Sequence, residues 1–167
     1  MIDYNNLPPF LWKLMRFPKY LYAIGLGPII GHLILILITV GRRTGKPHAT
    51  PLQYEEVEGV YYIGSARGEK ADWYQNISKN PHVKVRVKSD IFHAYAEPIL
   101  EPDRIADFLE LRLERHPKML GAMLRSEGLP SQPSRSQLEG FAQKTALVAL
   151  RPLNGEDGVE YRRGVTQ

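Results

Sequence analysis

The stretch Leu33 to Val40, LILILITV, runs into Gly41-Arg42-Arg43-Thr44-Gly45-Lys46 and then into an extended segment from Pro47 to Val57. Eight apolar and β-branched residues ending at a glycine read as a buried strand. The Gly-bounded basic hexapeptide reads as a tight turn, and the segment after it as a second strand folding back. This hairpin decides the fold class, because the pattern downstream repeats it. Glu58-Gly59 makes the next turn and Val60 to Ser65 the next strand. Val83, Val85 and Val87 alternate with Lys84, Arg86 and Lys88 in another, Ser89-Asp90 turns into Ile91 to Leu100, and Thr145 to Leu150 closes the set. Short turns join most of these strands, which disfavours parallel βαβ units, whose crossovers need a dozen residues or more. The expectation is a mainly β (α+β) domain: a six-stranded antiparallel barrel, in largely sequential order, with helices outside.

Two helices belong to that reading. Asp72-Trp73-Tyr74-Gln75-Asn76-Ile77 is a short one, with Asp72 as N-cap and Asn80-Pro81 as its stop. Pro102 to Arg115 is a longer one, with Pro102 near N1 and Ile105, Phe108, Leu109, Leu111 and Leu113 at mostly helical spacing. A Gly/Pro/Ser loop is expected around Gly128 to Ser136. Upstream, Pro9 to Ala23 reads as a kinked basic amphipathic helix that either docks on protein or lies on an anionic membrane surface. The uncharged run from Tyr20 to Val40 meets the length of a membrane span, but Gly25, Gly27, Pro28, Gly31 and His32 break it into two elements. The organisation is therefore an N-terminal helical segment over 1–32, a barrel over 33–152 and a polar tail over 153–167.

Composition narrows the chemistry. The chain has 167 residues and no cysteine, which removes disulfides, thiolate nucleophiles and Fe–S clusters, and fits a reducing compartment. Net charge is +4, concentrated at the front: through Tyr54 six bases face only Asp3, whereas the remainder carries 16 bases and 17 acids. An anionic partner therefore belongs in the first third. No secretory signal is expected. Lys84, Arg86 and Lys88 with His93 and Tyr95 imitate an oligonucleotide-binding face, but so modest a net charge argues against nucleic acid. The five histidines show no metal-ligand spacing, and no Ser-His-Asp or paired-carboxylate set appears, so neither a metal nor a catalytic residue is assigned.

The Gly41 to Lys46 turn carries the strongest chemical signal. Two arginines, a threonine hydroxyl and a lysine on a glycine-bounded loop suit a phosphate, against the alternative of a merely solvated turn. Its spacing is not that of a P-loop, and Pro47 follows where a Ser or Thr would stand. Ser65-Ala66-Arg67-Gly68 is a weaker anion-binding turn. Trp73-Tyr74 either caps a flat ring or fills the barrel mouth.

Taken in order, Leu37 to Pro47, Thr50-Pro51-Leu52-Gln53-Tyr54, Gly64 to Gly68, Trp73 to Ile77 and Asn80-Pro81 resemble the deazaflavin-dependent nitroreductase family of the flavin/deazaflavin oxidoreductases, densely over Leu33 to Leu100. The resemblance implies a split β-barrel of the FMN-binding type and coenzyme F-420 as cofactor, with FMN the alternative. It implies hydride transfer from the reduced coenzyme to a quinone, enone or nitro compound. By the same resemblance Arg42, Arg43, Thr44, Lys46 and His48 would hold the phosphate and the acidic tail. Pro51, Leu52, Ser65, Ala66, Arg67 and Gly68 would line the ring and ribityl part, with Trp73 and Asn76 nearby. His48 stands where arginine is common, and Gln137 to Leu150 lacks the tyrosines that position acceptors in the best-known branch, so acceptor identity does not carry over. A cytoplasmic homodimer with peripheral membrane contact through the N-terminal helix completes the expectation. The rival readings are an FMN-dependent enzyme on the same barrel and a non-catalytic lipid or cofactor carrier.

Overall fold

The computed structural model describes residues 34–65, 67–88 and 90–153. The segments expected as an N-terminal amphipathic helix and a polar tail, and the glycine break before the first strand, lie outside them. Within the described residues six strands form a closed antiparallel barrel: β1 (Ile34–Val40), β2 (Pro47–Val57), β3 (Val60–Ser65), β4 (His82–Val87), β5 (Asp90–Ile99) and β6 (Ala146–Pro152). Going round the barrel the order is β1-β2-β3-β6-β5-β4, two three-stranded meanders joined at both seams. One seam pairs Ile63 with Val148 and the other Leu37 with Val85. The order is thus sequential within each meander, and the sheet closes by pairing third with sixth strand and first with fourth.

Alternation explains which side chains fill the barrel. Leu35, Leu37 and Thr39 of β1 and Val83, Val85 and Val87 of β4 point inward and are buried, as a period of two requires. Helix α1 (Asp72–Lys79) contributes Trp73, Tyr74 and Ile77 to the same core. Its N-cap is Ala71 and not Asp72, which is the first helical residue; the Asp72 carboxylate instead meets Arg42 Nη2 at 3.0 Å. No helix among the described residues is long and apolar enough to cross a membrane, and the end of the uncharged run, Ile34–Val40, is strand β1.

A second core lies outside the barrel. Helices α2 (Pro102–Arg115), α3 (Pro117–Ser126) and α4 (Arg135–Ala142) pack Ile105, Leu109, Leu120, Leu124 and Leu138 against Ile99, Leu147 and Ala149. Strand β6 is therefore covered on both faces, and Ala146 to Leu150 are all buried, which accounts for its unbroken apolar run.

The sequence reading of α2 matches to the residue, but it omits α3 and puts a loop across the start of α4. Pro117 occupies the first turn of α3, where a missing N–H costs nothing. The loop Gly128 to Ser136 ends in a capping box: Ser134 Oγ accepts from Gln137 N, and Gln137 Oε1 accepts from Ser134 N at 2.8 Å. Arg135 then ties α4 to α2, donating to Asp107 at 2.6 Å, Glu110 at 3.0 Å and the Asp103 carbonyl at 2.9 Å.

Candidate active site

The turn between β1 and β2 is closed by its own backbone. Gly41 N donates to the Lys46 carbonyl and Gly45 N to the Gly41 carbonyl, both at 2.8 Å, and Lys46 N reaches Thr44 Oγ1 at 3.3 Å. Gly45 adopts φ +67°, a conformation that favours glycine. These bonds leave the N–H groups of Arg43 and Thr44 for a ligand, fewer than the glycine count alone invites.

Helix α1 fixes this turn in space through Asn76. That buried amide accepts from Arg42 N at 3.1 Å and from Arg42 Nη1 at 3.2 Å, and donates to Thr39 Oγ1 at 3.1 Å. Arg42 is thereby held on the helix, with the Asp72 carboxylate at 3.0 Å from its Nη2. The result is a cavity of about 360 Å³ lined by Gly41, Arg42, Arg43, Thr44, His48, Ala49, Thr50, Asp72, Trp73 and Asn76. An ideal Cβ on Gly41 would stand 2.7 Å from the His48 ring, so the glycine sets how closely that ring packs against the turn. A shallow neighbouring groove shares Arg42 and Arg43 and adds Lys79. Two arginines and one lysine against one carboxylate make the lining cationic, fit for phosphate and carboxylate groups.

A second cavity, about 290 Å³ and mostly apolar, lies at the rim between the barrel and the outer helices. Pro51, Leu52, Gly64 and Ser65 come from the strands, and Phe108, Arg112, Met123 and Phe141 from α2, α3 and α4. Strand β2 joins the two cavities: His48, Ala49 and Thr50 line the first, and Pro51, Leu52 and Gln53 the second. The middle residues of these two triplets, Ala49 and Leu52, stand about 10 Å apart along the strand.

The expected residues divide accordingly. Arg42, Arg43, Thr44, His48, Trp73 and Asn76 meet in the basic cavity, and Pro51, Leu52 and Ser65 in the apolar one. Lys46 lines neither, and its backbone serves the turn. Arg67 is exposed and lines neither. Gly68 is a buried hinge at φ +55° whose carbonyl accepts from Ser65 Oγ at 2.8 Å. Ala66 lies outside the described residues. Trp73 fills the core and also walls the basic cavity. Sequence reading misses every helical residue of the apolar cavity, Arg112 above all, because no spacing rule connects β2 with α2. Among the described residues no group of His, Asp and Glu is placed to hold a metal.

The sequence profile of the F420H(2)-dependent quinone reductase family matches residues 23–121, more than half of the chain. The chain belongs to that family. A protein of Mycobacterium tuberculosis bearing the same name is 31% identical over 100 residues, covering 54% of this chain and 66% of that relative, just under two thirds of its length. Two solved structures share the fold at low identity. One, described as a candidate 5-nitroimidazole antibiotic resistance protein of Bacteroides thetaiotaomicron, superposes with a TM-score of 0.53 at 11% identity over 80% of this chain and 78% of that one. The other, described as a candidate pyridoxamine 5'-phosphate oxidase of Listeria innocua, has a TM-score of 0.51 at 14% identity over 83% and 94%. They establish the split-barrel architecture and nothing about ligands.

Proposed function

We propose that this chain is a reductase that takes a hydride from reduced coenzyme F-420 and delivers it to an electron-poor acceptor, a quinone first among them. Family membership supports the reading, and one structural observation carries it: a cationic cavity and an apolar cavity meet on consecutive residues of β2. That pairing suits a coenzyme whose flat ring and anionic tail are joined by a linker. The reduced deazaflavin, when bound, supplies the hydride, so the protein's tasks are to bind, orient and exclude water.

In this reading Arg43, the Arg43 and Thr44 N–H groups and His48 hold the phosphate. Arg42 shapes the cavity from its place on α1, and Lys79 extends the positive track for the acidic tail. Pro51, Leu52 and Ser65 bound the ring. The cytoplasmic homodimer expected from sequence stays part of the proposal, supported by Ile91 and Tyr95, which are exposed on one face of β5.

Fluorescence titration with coenzyme F-420 beside FMN, in identical salt, tests the assignment. Tight binding of the deazaflavin, weakened by about 1–3 kcal/mol in Arg43→Ala and much less in Lys46→Ala, is the expected result. Preference for FMN would keep the fold and change the enzyme class. Binding of neither would overturn the reading and promote the carrier.

A further inference from the structure

Glu55 is buried on the outer face of β2, and the end of α2 surrounds it with Arg112, Arg115 and His116. The pairing is uneven. Arg115 Nη1 donates to Glu55 Oε1 at 2.7 Å and to the Glu56 carbonyl at 3.0 Å. Arg112 Nε stands 3.7 Å from Oε2, an ion pair too long for a hydrogen bond. Its side chain is only 9% exposed, yet Nε and Nη2 have no hydrogen-bond partner, and neither has the facing Glu55 Oε2. Buried arginine nitrogens are seldom left so, because each forfeits its hydration without replacement. Burial lowers the Arg112 guanidinium pKa from its ordinary value, with Glu55 partly opposing, but arginine stays charged at any working pH.

Position gives this unsatisfied cation a meaning. Arg112 lines the apolar cavity, with its guanidinium carbon 5.9 Å from the Phe108 ring centroid. Along β2 the order is the basic turn, then His48 to Thr50, then the apolar cavity at Pro51 to Gln53, then Glu55, which holds Arg112. Arg112 thus sits toward the end of the apolar cavity remote from the site for the coenzyme's phosphate. Phe108, Phe141 and Leu52 around it favour a flat aromatic molecule.

We propose that Arg112 is the anion-recognising group of the apolar cavity, donating from its guanidinium to a negatively charged oxygen on a planar aromatic ligand. Resting on the reductase reading, that oxygen is the quinone oxygen that gains charge during reduction. Hydride delivered to one carbonyl oxygen of the quinone shifts the conjugated π electrons through the ring, makes it aromatic and leaves the negative charge on the opposite oxygen. A proton then completes the hydroquinone, and the coenzyme is oxidised by loss of one hydride and one proton. A fixed cation beside that oxygen stabilises charge that exists only as the reaction proceeds.

Calorimetry on the full chain without coenzyme tests this, with two probes of nearly equal size: 2-hydroxy-1,4-naphthoquinone, ionised at neutral pH, and uncharged 2-methyl-1,4-naphthoquinone. The wild-type protein should bind the anion at least about tenfold more tightly. Arg112→Gln should erase the preference and Arg112→Lys retain part of it. In the coenzyme-loaded protein Arg112→Gln should lower kcat for the uncharged quinone about 10- to 100-fold, well beyond any loss of coenzyme affinity read by fluorescence. Equal affinities in the wild type, or a preference that survives Arg112→Gln, overturns the proposal, and the wild-type comparison needs no variant to fold. An anion preference in a protein that fails to bind coenzyme F-420 would sustain the Arg112 site and remove the reductase reading. Coenzyme binding without an anion preference would do the reverse.

Discussion

The two cavities open on the same strand but are built in opposite ways. The basic one comes from two short segments, the Gly41 turn with the start of β2 and one helix, bound together by the Asn76 amide and the Arg42–Asp72 pair. The apolar one is assembled from β2, β3, β6 and three helices, and exists only because the outer helical layer packs where it does. A local device and a global one therefore share a wall, and damage to each should leave a different signature.

The largest effect is expected from Leu138→Ala. Leu138 is 1% exposed in the helical core, and truncating such a leucine costs about 2–5 kcal/mol. Urea unfolding should show that loss, and naphthoquinone binding, which rests on the apolar cavity alone, should weaken more than deazaflavin affinity, which draws on the basic cavity as well. Equal loss of both ligands would erase the distinction drawn between the cavities.

Asn76→Ala comes next. It strands the Arg42 and Thr39 groups that the amide satisfies, at about 1–3 kcal/mol of stability, and leaves the Arg42–Asp72 contacts alone to tie the turn to α1. Deazaflavin affinity should fall while naphthoquinone affinity holds, the mirror image of the first variant. Smallest is Gly41→Ala, whose new methyl meets the His48 ring at 2.7 Å and Thr44 Oγ1 at 2.9 Å. Both are movable side-chain atoms, so the expected change is about 1 kcal/mol, read as weaker deazaflavin binding with an unaltered unfolding midpoint.

The same contrast explains which parts of the molecule are legible in the amino-acid string. The basic turn is legible because its residues are contiguous and their chemistry stands in the string itself. Strands β1 to β5 are legible because alternation and turn residues agree over each of them. Helices α3 and α4 hide behind Pro117 and the Gly128 to Ser136 stretch, which read as breakers although Ser134 and Gln137 spell a capping box. Arg112 is hidden more deeply. On α2 it falls among leucines as an ordinary exposed-face residue would, and only the arrival of Glu55 from distant β2 makes it a buried cation. Lys46 and Arg67 show the converse: a suggestive residue type in a suggestive turn that lines neither cavity.

Closure of the barrel also bears on how copies of this chain can meet. A ring of six strands has no outermost member, so the described sheet offers no open row of peptide groups onto which another polypeptide could zip. Among the described residues, surface contact between copies would draw on side chains such as Ile91, Tyr95 and Leu100, which stand 43%, 42% and 54% exposed. Fibrous stacking would first have to prise apart a seam such as β1 with β4, where Leu35 to Ile38 face Val87 to Lys84.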